Sequence, residues 1–216
     1  MRRRFVVFRD RLDAGRRLAG ELAHLEGEDV VVLGLPRGGV PVAFEVARAL
    51  GAPLDVIVVR KLGVPFQPEL AMGAIGEEGV LVLQPDVVRM AGVGEQELAA
   101  VERREGAELE RRAARFRAGR PRPSLEGRTA VIVDDGIATG STARAACQVA
   151  RAQGAARVVL AVPVAPGSSA SELSDAADEL VILELPEPFF AVGEWYEDFS
   201  QISDDEVVTL LRRAAA

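Results

Sequence analysis

The chain has 216 residues, of which 33 are acidic and 26 basic, giving a formal net charge of −7. Because 49% of the residues are hydrophobic and 27% are charged, the composition predicts a globular protein with a sizeable core and argues against disorder. The single cysteine, Cys147, excludes an internal disulfide and a cysteine-based zinc site, and the acidic balance disfavours nucleic acid as a partner.

Short apolar stretches alternate with helical patterns along the chain. Buried strands are predicted over residues 29–34, 54–59, 129–133, 157–162 and 180–185. Helices are predicted over residues 11–25, 40–50, 141–153 and 204–213. Apolar strands that alternate with helices are typical of a parallel sheet covered on both faces. We therefore predict one α/β domain over residues 1–216, with an open, mostly parallel, twisted sheet and helices on both faces.

Two stretches interrupt this alternation. Residues 60–83 are rich in Gly and Pro and read as a long loop or hairpin excursion, which in a compact α/β domain is typically functional or mobile. Residues 95–118 form a long charged helix with a thin apolar stripe, which we expect to protrude from the domain. Either the helix is solvated and held by pairs such as Glu108 with Arg112, or it is an arm that contacts a partner subunit in a homodimer.

The most informative segment is 131–142. A buried strand runs into two adjacent acids, Asp134 and Asp135, and a loop of small and hydroxyl residues leads into the next helix. Small residues let the backbone approach a ligand, and loop amides at a helix N-terminus bind an anion such as phosphate. The predicted phosphate loop consists of Ala138, Thr139, Gly140, Ser141 and Thr142.

Two carboxylates beside a phosphate loop are consistent with a sugar phosphate as ligand. The loop would take the phosphate, while Asp134 and Asp135 accept hydrogen bonds from the sugar hydroxyls. A magnesium ion at the two acids would offset their charge. The Gly-Lys-Ser/Thr ending of a Walker A loop is absent, and no G-x-G-x-x-G follows the first strand. The alternative is an acidic turn in which Asp135 or Thr139 only caps the next helix.

The run from Ile132 to Thr142 resembles the signature of the type I phosphoribosyltransferases. In that family four apolar residues, two acids and a short linker precede Thr-Gly-x-Thr. The resemblance covers most of the chain and implies a small hood beside the main sheet. It also implies that the loop binds the 5′-phosphate of phosphoribosyl pyrophosphate (PRPP) and that Asp134 and Asp135 hold the ribose hydroxyls.

A second anion site is predicted after the first strand, at Arg37-Gly38-Gly39. An arginine followed by two glycines at the start of a helix offers a cation, free amides and a helix N-terminus. The resemblance places the pyrophosphate loop here, and the alternative is a plain turn with a solvent-exposed arginine. The family similarly places basic residues where Arg60 and Lys61 stand, to hold the pyrophosphate beside a lid over residues 60–83. Lys61 is the only lysine of the chain.

Residues 186–201 form a predicted C-terminal hood segment and contain the only Trp and the only Tyr. The resemblance implies that Trp195 or Tyr196 stacks on a planar acceptor. The alternative is an aromatic anchor that fixes the C-terminal helix to the core. Hypoxanthine–guanine enzymes carry a third carboxylate at the position of Ala138. An alanine there is similar to adenine- and orotate-type enzymes instead, and the identity of the acceptor base stays open.

The resemblance implies transfer of the phosphoribosyl group of PRPP to a nitrogen acceptor, a nucleobase or related small molecule, with release of pyrophosphate. Asp134 and Asp135 would position the ribose and bind Mg²⁺, while Arg37, Arg60 and Lys61 stabilise the leaving group. Two alternatives remain: a regulatory protein that binds PRPP or a nucleotide without turnover, and another phosphate-handling α/β protein. Without a signal peptide or an apolar run of roughly 18 residues, we expect a cytoplasmic protein without membrane partners.

Overall fold

The computed structural model describes residues 7–215. The strands are β1 (Val30–Gly34), β2 (Leu54–Val56), β3 (Val59–Val64), β4 (Gln67–Gly76), β5 (Leu81–Leu83), β6 (Thr129–Val133), β7 (Arg157–Val164) and β8 (Glu179–Glu184). The α-helices are α1 (Arg11–Glu21), α2 (Gly39–Leu50), α3 (Pro85–Met90), α4 (Glu95–Arg117), α5 (Ser141–Ala152), α6 (Ser169–Glu172) and α7 (Asp204–Ala214).

The main sheet is five-stranded and parallel, in the order β2-β1-β6-β7-β8. Successive residues of a strand face opposite sides of a sheet. Val30 and Val32 accordingly pack in the core that contains α1 and α2, while Val31 and Leu33 pack in the core beneath α5. The predicted parallel α/β sheet with helices on both faces is confirmed, and a small antiparallel sheet stands beside it.

That second sheet decides between the two alternatives for residues 60–83. The hairpin alternative is correct, because β3, β4 and β5 pair antiparallel as two consecutive hairpins. Leu62, Val64 and Met72 have no exposed surface, so the excursion has an apolar side that packs into the main core. The predicted strand over 54–59 is also divided, since β2 ends at Val56 and the chain turns into β3. Lid movement of these residues stays a prediction.

Helix α4 has the predicted length, but it packs along the domain instead of protruding. Its apolar stripe of Val101, Leu109, Ala113 and Phe116 is buried, and the helix contacts β3, β4 and α7. Few residues form this stripe, but their helical spacing places them on one face of α4, and that face covers the edge of the core.

The N-terminal segment of the described chain pairs with residues 195–198. Phe8 and Tyr196 form a parallel bridge, and the Glu197 and Asp198 amides donate to the carbonyls of Phe8 and Arg9 at 2.8 and 2.9 Å. Residues 186–201 thus lie against the segment that leads into α1. Within residues 7–215, no helix combines the length and apolarity that crossing a bilayer would require.

Candidate functional site

Two loops start side by side at the carboxyl edge of the main sheet. Because β1 and β6 are parallel neighbours, Gly34 lies opposite Val133, and the loops that follow leave the sheet together. A Cβ on Gly39 would lie 2.5 Å from the Val133 carbonyl oxygen, and a Cβ on Gly38 would overlap the Asp135 carboxylate. The Arg37-Gly38-Gly39 loop is therefore in contact with the acid pair, and a side chain at either glycine would meet atoms that already occupy the space.

The phosphate loop has donors that the protein itself leaves unused. Gly140 adopts a φ of 73° and precedes α5, whose N-terminus carries no side-chain cap within the described chain. None of the backbone amides of residues 138–141 donates a hydrogen bond to another described residue. Ser141 Oγ lies 3.3 Å from Thr139 Oγ1, so the hydroxyls face the same space. This is the arrangement expected of an anion site at a helix N-terminus.

The two acids have different surroundings. Asp134 Oδ1 accepts the Asp135 amide at 2.8 Å, while Asp135 Oδ2 accepts the Arg11 Nε at 2.8 Å. Burial and repulsion by the Asp135 carboxylate raise the pKa of Asp134 well above its ordinary value. Asp135 is compensated by a guanidinium, whereas Asp134 gains stability from any cation or hydrogen-bond donor that reaches it.

The three predicted cations go to three different places. Lys61 Nζ donates to Ser141 Oγ at 3.2 Å, at the phosphate loop and not at the Arg37 loop. Arg60 instead binds Glu105 of α4 at 2.7 Å, and its place at the leaving group stays a prediction. The peptide bond between Pro36 and Arg37 is cis, and the Arg37 guanidinium is 3.7 Å from the Asp204 carboxylate of α7.

Of the two alternatives for the aromatic pair in the C-terminal hood segment, Tyr196 fits the anchor. Tyr196 is 4% exposed, and its hydroxyl donates to the Asp135 carbonyl at 2.6 Å. Its ring is tilted between Phe8 and Phe199, with centroid distances of 5.4 and 5.0 Å. Burial raises the pKa of this phenol, so it stays protonated and keeps donating. Tyr196 is therefore an anchor of the acid loop, and only the partly exposed Trp195 remains for stacking.

Sequence reasoning missed Arg11. It is the first residue of α1, it is 8% exposed, and it contacts Asp135 across 124 positions of the chain. No motif marks it, because it is one arginine among many in the chain. Only the pairing of distant segments brings it to the site.

Two loops of small residues and an acid pair lie together at the carboxyl edge of a parallel sheet, which is where open α/β proteins place their ligands. The chain belongs to the phosphoribosyl transferase domain family, whose sequence model matches residues 8–198.

Three known proteins illustrate this similarity. Two Mycobacterium tuberculosis proteins, of strains CDC 1551 and H37Rv, are each 65% identical over 208 residues and are provisionally named phosphoribosyl transferases. The matched region is 96% of this chain and 47% of theirs, so the chain spans about half the length of these curated relatives. The crystal structure of TT1426 from Thermus thermophilus is 48% identical, with a TM-score of 0.88 over 97% of this chain and 99% of that one.

Proposed function

We propose that the protein transfers the phosphoribosyl group of PRPP to a nitrogen atom of a small acceptor and releases pyrophosphate. The observation that carries this proposal is the contact between the Gly38 loop and the acid pair, beside a phosphate loop with unused amides. A ligand with a phosphate at one end, hydroxyls in the middle and a second anionic group would meet all three parts at once.

In the proposed reaction, the bond from the anomeric carbon to the pyrophosphate oxygen breaks, and its electron pair leaves with pyrophosphate. The acceptor nitrogen then supplies the electron pair of the new bond to carbon and loses its proton. Positive charge develops on the anomeric carbon and the ring oxygen. The acid pair favours this charge, while the Arg37 loop stabilises the departing anion. Lys61, at Ser141, fits the 5′-phosphate end of the ligand better than its pyrophosphate.

Magnesium fits this site as a partner of the ligand. Within residues 7–215 no group of three or more Asp, Glu, His or Cys side chains could hold a metal ion by itself. Mg²⁺ is commonly held by one or two carboxylates together with substrate phosphates, which suits an acid pair beside two anion loops. Of the two acids, Asp134 is the better ligand for Mg²⁺, because the Asp135 carboxylate already accepts a hydrogen bond from Arg11. When bound, the ion would neutralise charge on the pyrophosphate.

A second function, binding of PRPP or a nucleotide without turnover, is favoured by two contacts. Tyr196 is buried as an anchor, and Arg60 is paired with Glu105, so two expected parts of the catalytic machinery serve other contacts. A regulatory protein would keep the phosphate loop and the acid pair but would not break the bond to pyrophosphate.

One experiment separates the two functions. Purified protein is incubated with PRPP, Mg²⁺ and a panel of nitrogen bases, and pyrophosphate release and PRPP binding are measured in parallel. We expect base-dependent release, and its loss together with most PRPP affinity in the Asp134→Asn, Asp135→Asn double variant with the fold retained. Binding without release for every base would favour the regulatory function. Loss of the fold in the variant would mean that the acids are structural caps.

A further inference from the structure

Arg11 joins three parts of the protein through one guanidinium. Its Nε donates to Asp135 Oδ2 and its Nη1 to the Ser200 carbonyl, both at 2.8 Å. The guanidinium carbon lies 3.9 Å from the ring centroid of Phe199, within the range of a cation–π contact. One end of this side chain therefore contacts the acid pair, and the other contacts the C-terminal hood segment.

The local fold brings Arg11 to this place. The bridge between Phe8 and Tyr196 fixes the segment that precedes α1, and the Asp10 side chain caps the helix by accepting the Asp13 amide at 2.7 Å. The first helical residue is then Arg11, directed towards Asp135. Tyr196 binds the carbonyl of the same aspartate at 2.6 Å, so Asp135 is held through both its side chain and its main chain.

We propose that Arg11 is a positioning residue that holds the Asp135 carboxylate in its ribose-binding orientation and couples the docking of residues 196–200 to it. This inference rests on the proposed function for its effect on PRPP. The coupling itself is a property of the protein without ligand.

Arginine suits this task better than lysine. Its planar fork can reach Asp135 and Ser200 together, and it can stack on Phe199 at the same time, whereas an ammonium is a single compact charge. Without the guanidinium, Asp135 would face Asp134 with no compensating cation, and the hood segment would lose a contact to the site.

The test compares Arg11→Ala and Arg11→Lys with Arg16→Ala. Arg16 lies on the same helix, is exposed, and approaches Glu45 on α2 at 3.6 Å, away from the acid pair. Backbone hydrogen exchange of residues 134–137 and 195–200 is measured without ligand, and the Kd for PRPP with Mg²⁺ is measured by calorimetry.

We expect faster exchange in both segments of Arg11→Ala and a Kd raised at least about tenfold, equivalent to one charge-assisted hydrogen bond. Arg11→Lys should recover part of the affinity, and Arg16→Ala should match the wild type. Unchanged exchange in both Arg11 variants overturns the coupling. Faster exchange with an unchanged Kd overturns the positioning of Asp135. A wild-type protein that binds no PRPP refutes the proposed function instead, and exchange alone then decides the coupling.

Discussion

Gly38 and Asp135 touch where the loops after β1 and β6 meet, and at the residue scale this contact sets the geometry of the site. Gly38 has an ordinary helical backbone, with φ of −62° and ψ of −33°, so other residues could adopt its conformation. The requirement for glycine comes from the carboxylate packed against it. A larger side chain would displace Asp135 from Arg11 and widen the gap between the two loops.

We therefore predict that Gly38→Ala lowers PRPP affinity and turnover more than it lowers stability. The added methyl group has no strain of its own, but it must displace the Asp135 carboxylate. Gly20→Ala in α1 is the matched control, because nothing lies within 4 Å of the added Cβ. Calorimetry with PRPP and thermal unfolding of both variants check this. Equal PRPP affinity in the two variants would contradict it.

The neighbours Lys61 and Arg60 should behave differently when each is replaced by alanine. Lys61→Ala removes a cation from the phosphate loop and should raise the KM for PRPP by the equivalent of about 1.5–3 kcal/mol without lowering stability. Arg60→Ala removes the pair with Glu105 and should cost up to about 1 kcal/mol of stability with little change in turnover. Steady-state kinetics and urea unfolding measure the two effects. The reverse pattern would place Arg60 at the ligand.

At the scale of elements, a buried ion cluster fixes α4 and the antiparallel sheet to the main sheet. Arg117 at the end of α4 binds Asp55 of β2 and Glu77 after β4, with contacts of 2.8 Å to each. All three residues are less than 9% exposed. The cluster lies at the base of the segment that carries Lys61, so it determines where that segment leaves the core.

Replacing Arg117 by alanine would leave two buried carboxylates without their cation. We predict a loss of about 3–5 kcal/mol in the free energy of unfolding, since an uncompensated buried charge is costly. Arg111→Ala on the exposed face of α4 removes a surface pair with Glu108 and should cost less than about 1 kcal/mol. Denaturant unfolding of the two variants provides the comparison, and equal losses would exclude a special role for the cluster.

Asp178 connects α6 to β8 and makes part of the stability depend on pH. The Val158 amide donates to its carboxylate at 2.7 Å and holds the pKa of Asp178 below its ordinary value. The ionised form is therefore favoured by folding, and its contribution is complete above the unfolded pKa of about 3.9 and lost as pH falls through the lower folded pKa. Asp178→Asn should thus have a lower free energy of unfolding than the wild type at about pH 7, and this difference should disappear near pH 3. Denaturant unfolding of both proteins at several pH values measures this difference, and a difference that does not change with pH would contradict the prediction.

The sequence predicted where the elements lie, but not how residues 60–83 and α4 pack against the core. The strands of the main sheet and the helices over 39–50 and 141–152 were predictable, because apolar runs with glycine-marked ends determine them locally. The Gly- and Pro-rich excursion was predicted as a loop or hairpin, and its pairing into a three-stranded sheet depends on Leu62 and Met72 finding the main core. The packing of α4 likewise depends on a partner surface that its own charged sequence does not reveal.

At the scale of the whole molecule, the site is completed by segments far apart in the chain. Residues 7–11 and 195–200 pair with each other and close over the loop at Asp135. The homodimer, the cytoplasmic location and the role of residues 60–83 as a lid remain predictions. The acceptor should be sought among small nitrogen bases, with the partly exposed Trp195 as a candidate for stacking on it.

The amino-acid sequence alone predicted the parallel α/β architecture, the acid pair, the phosphate loop and the second glycine loop. The acid pair and the loops each lie within a dozen neighbouring residues, and the architecture follows from apolar runs that recur along the chain. Tertiary structure alone decided that Arg11 binds Asp135, that Lys61 reaches Ser141, that Arg60 turns to Glu105 and that Tyr196 is an anchor. The physical reason is that a side chain takes its partner from whatever charge or apolar surface packing brings within a few ångströms, and local sequence does not contain that distance.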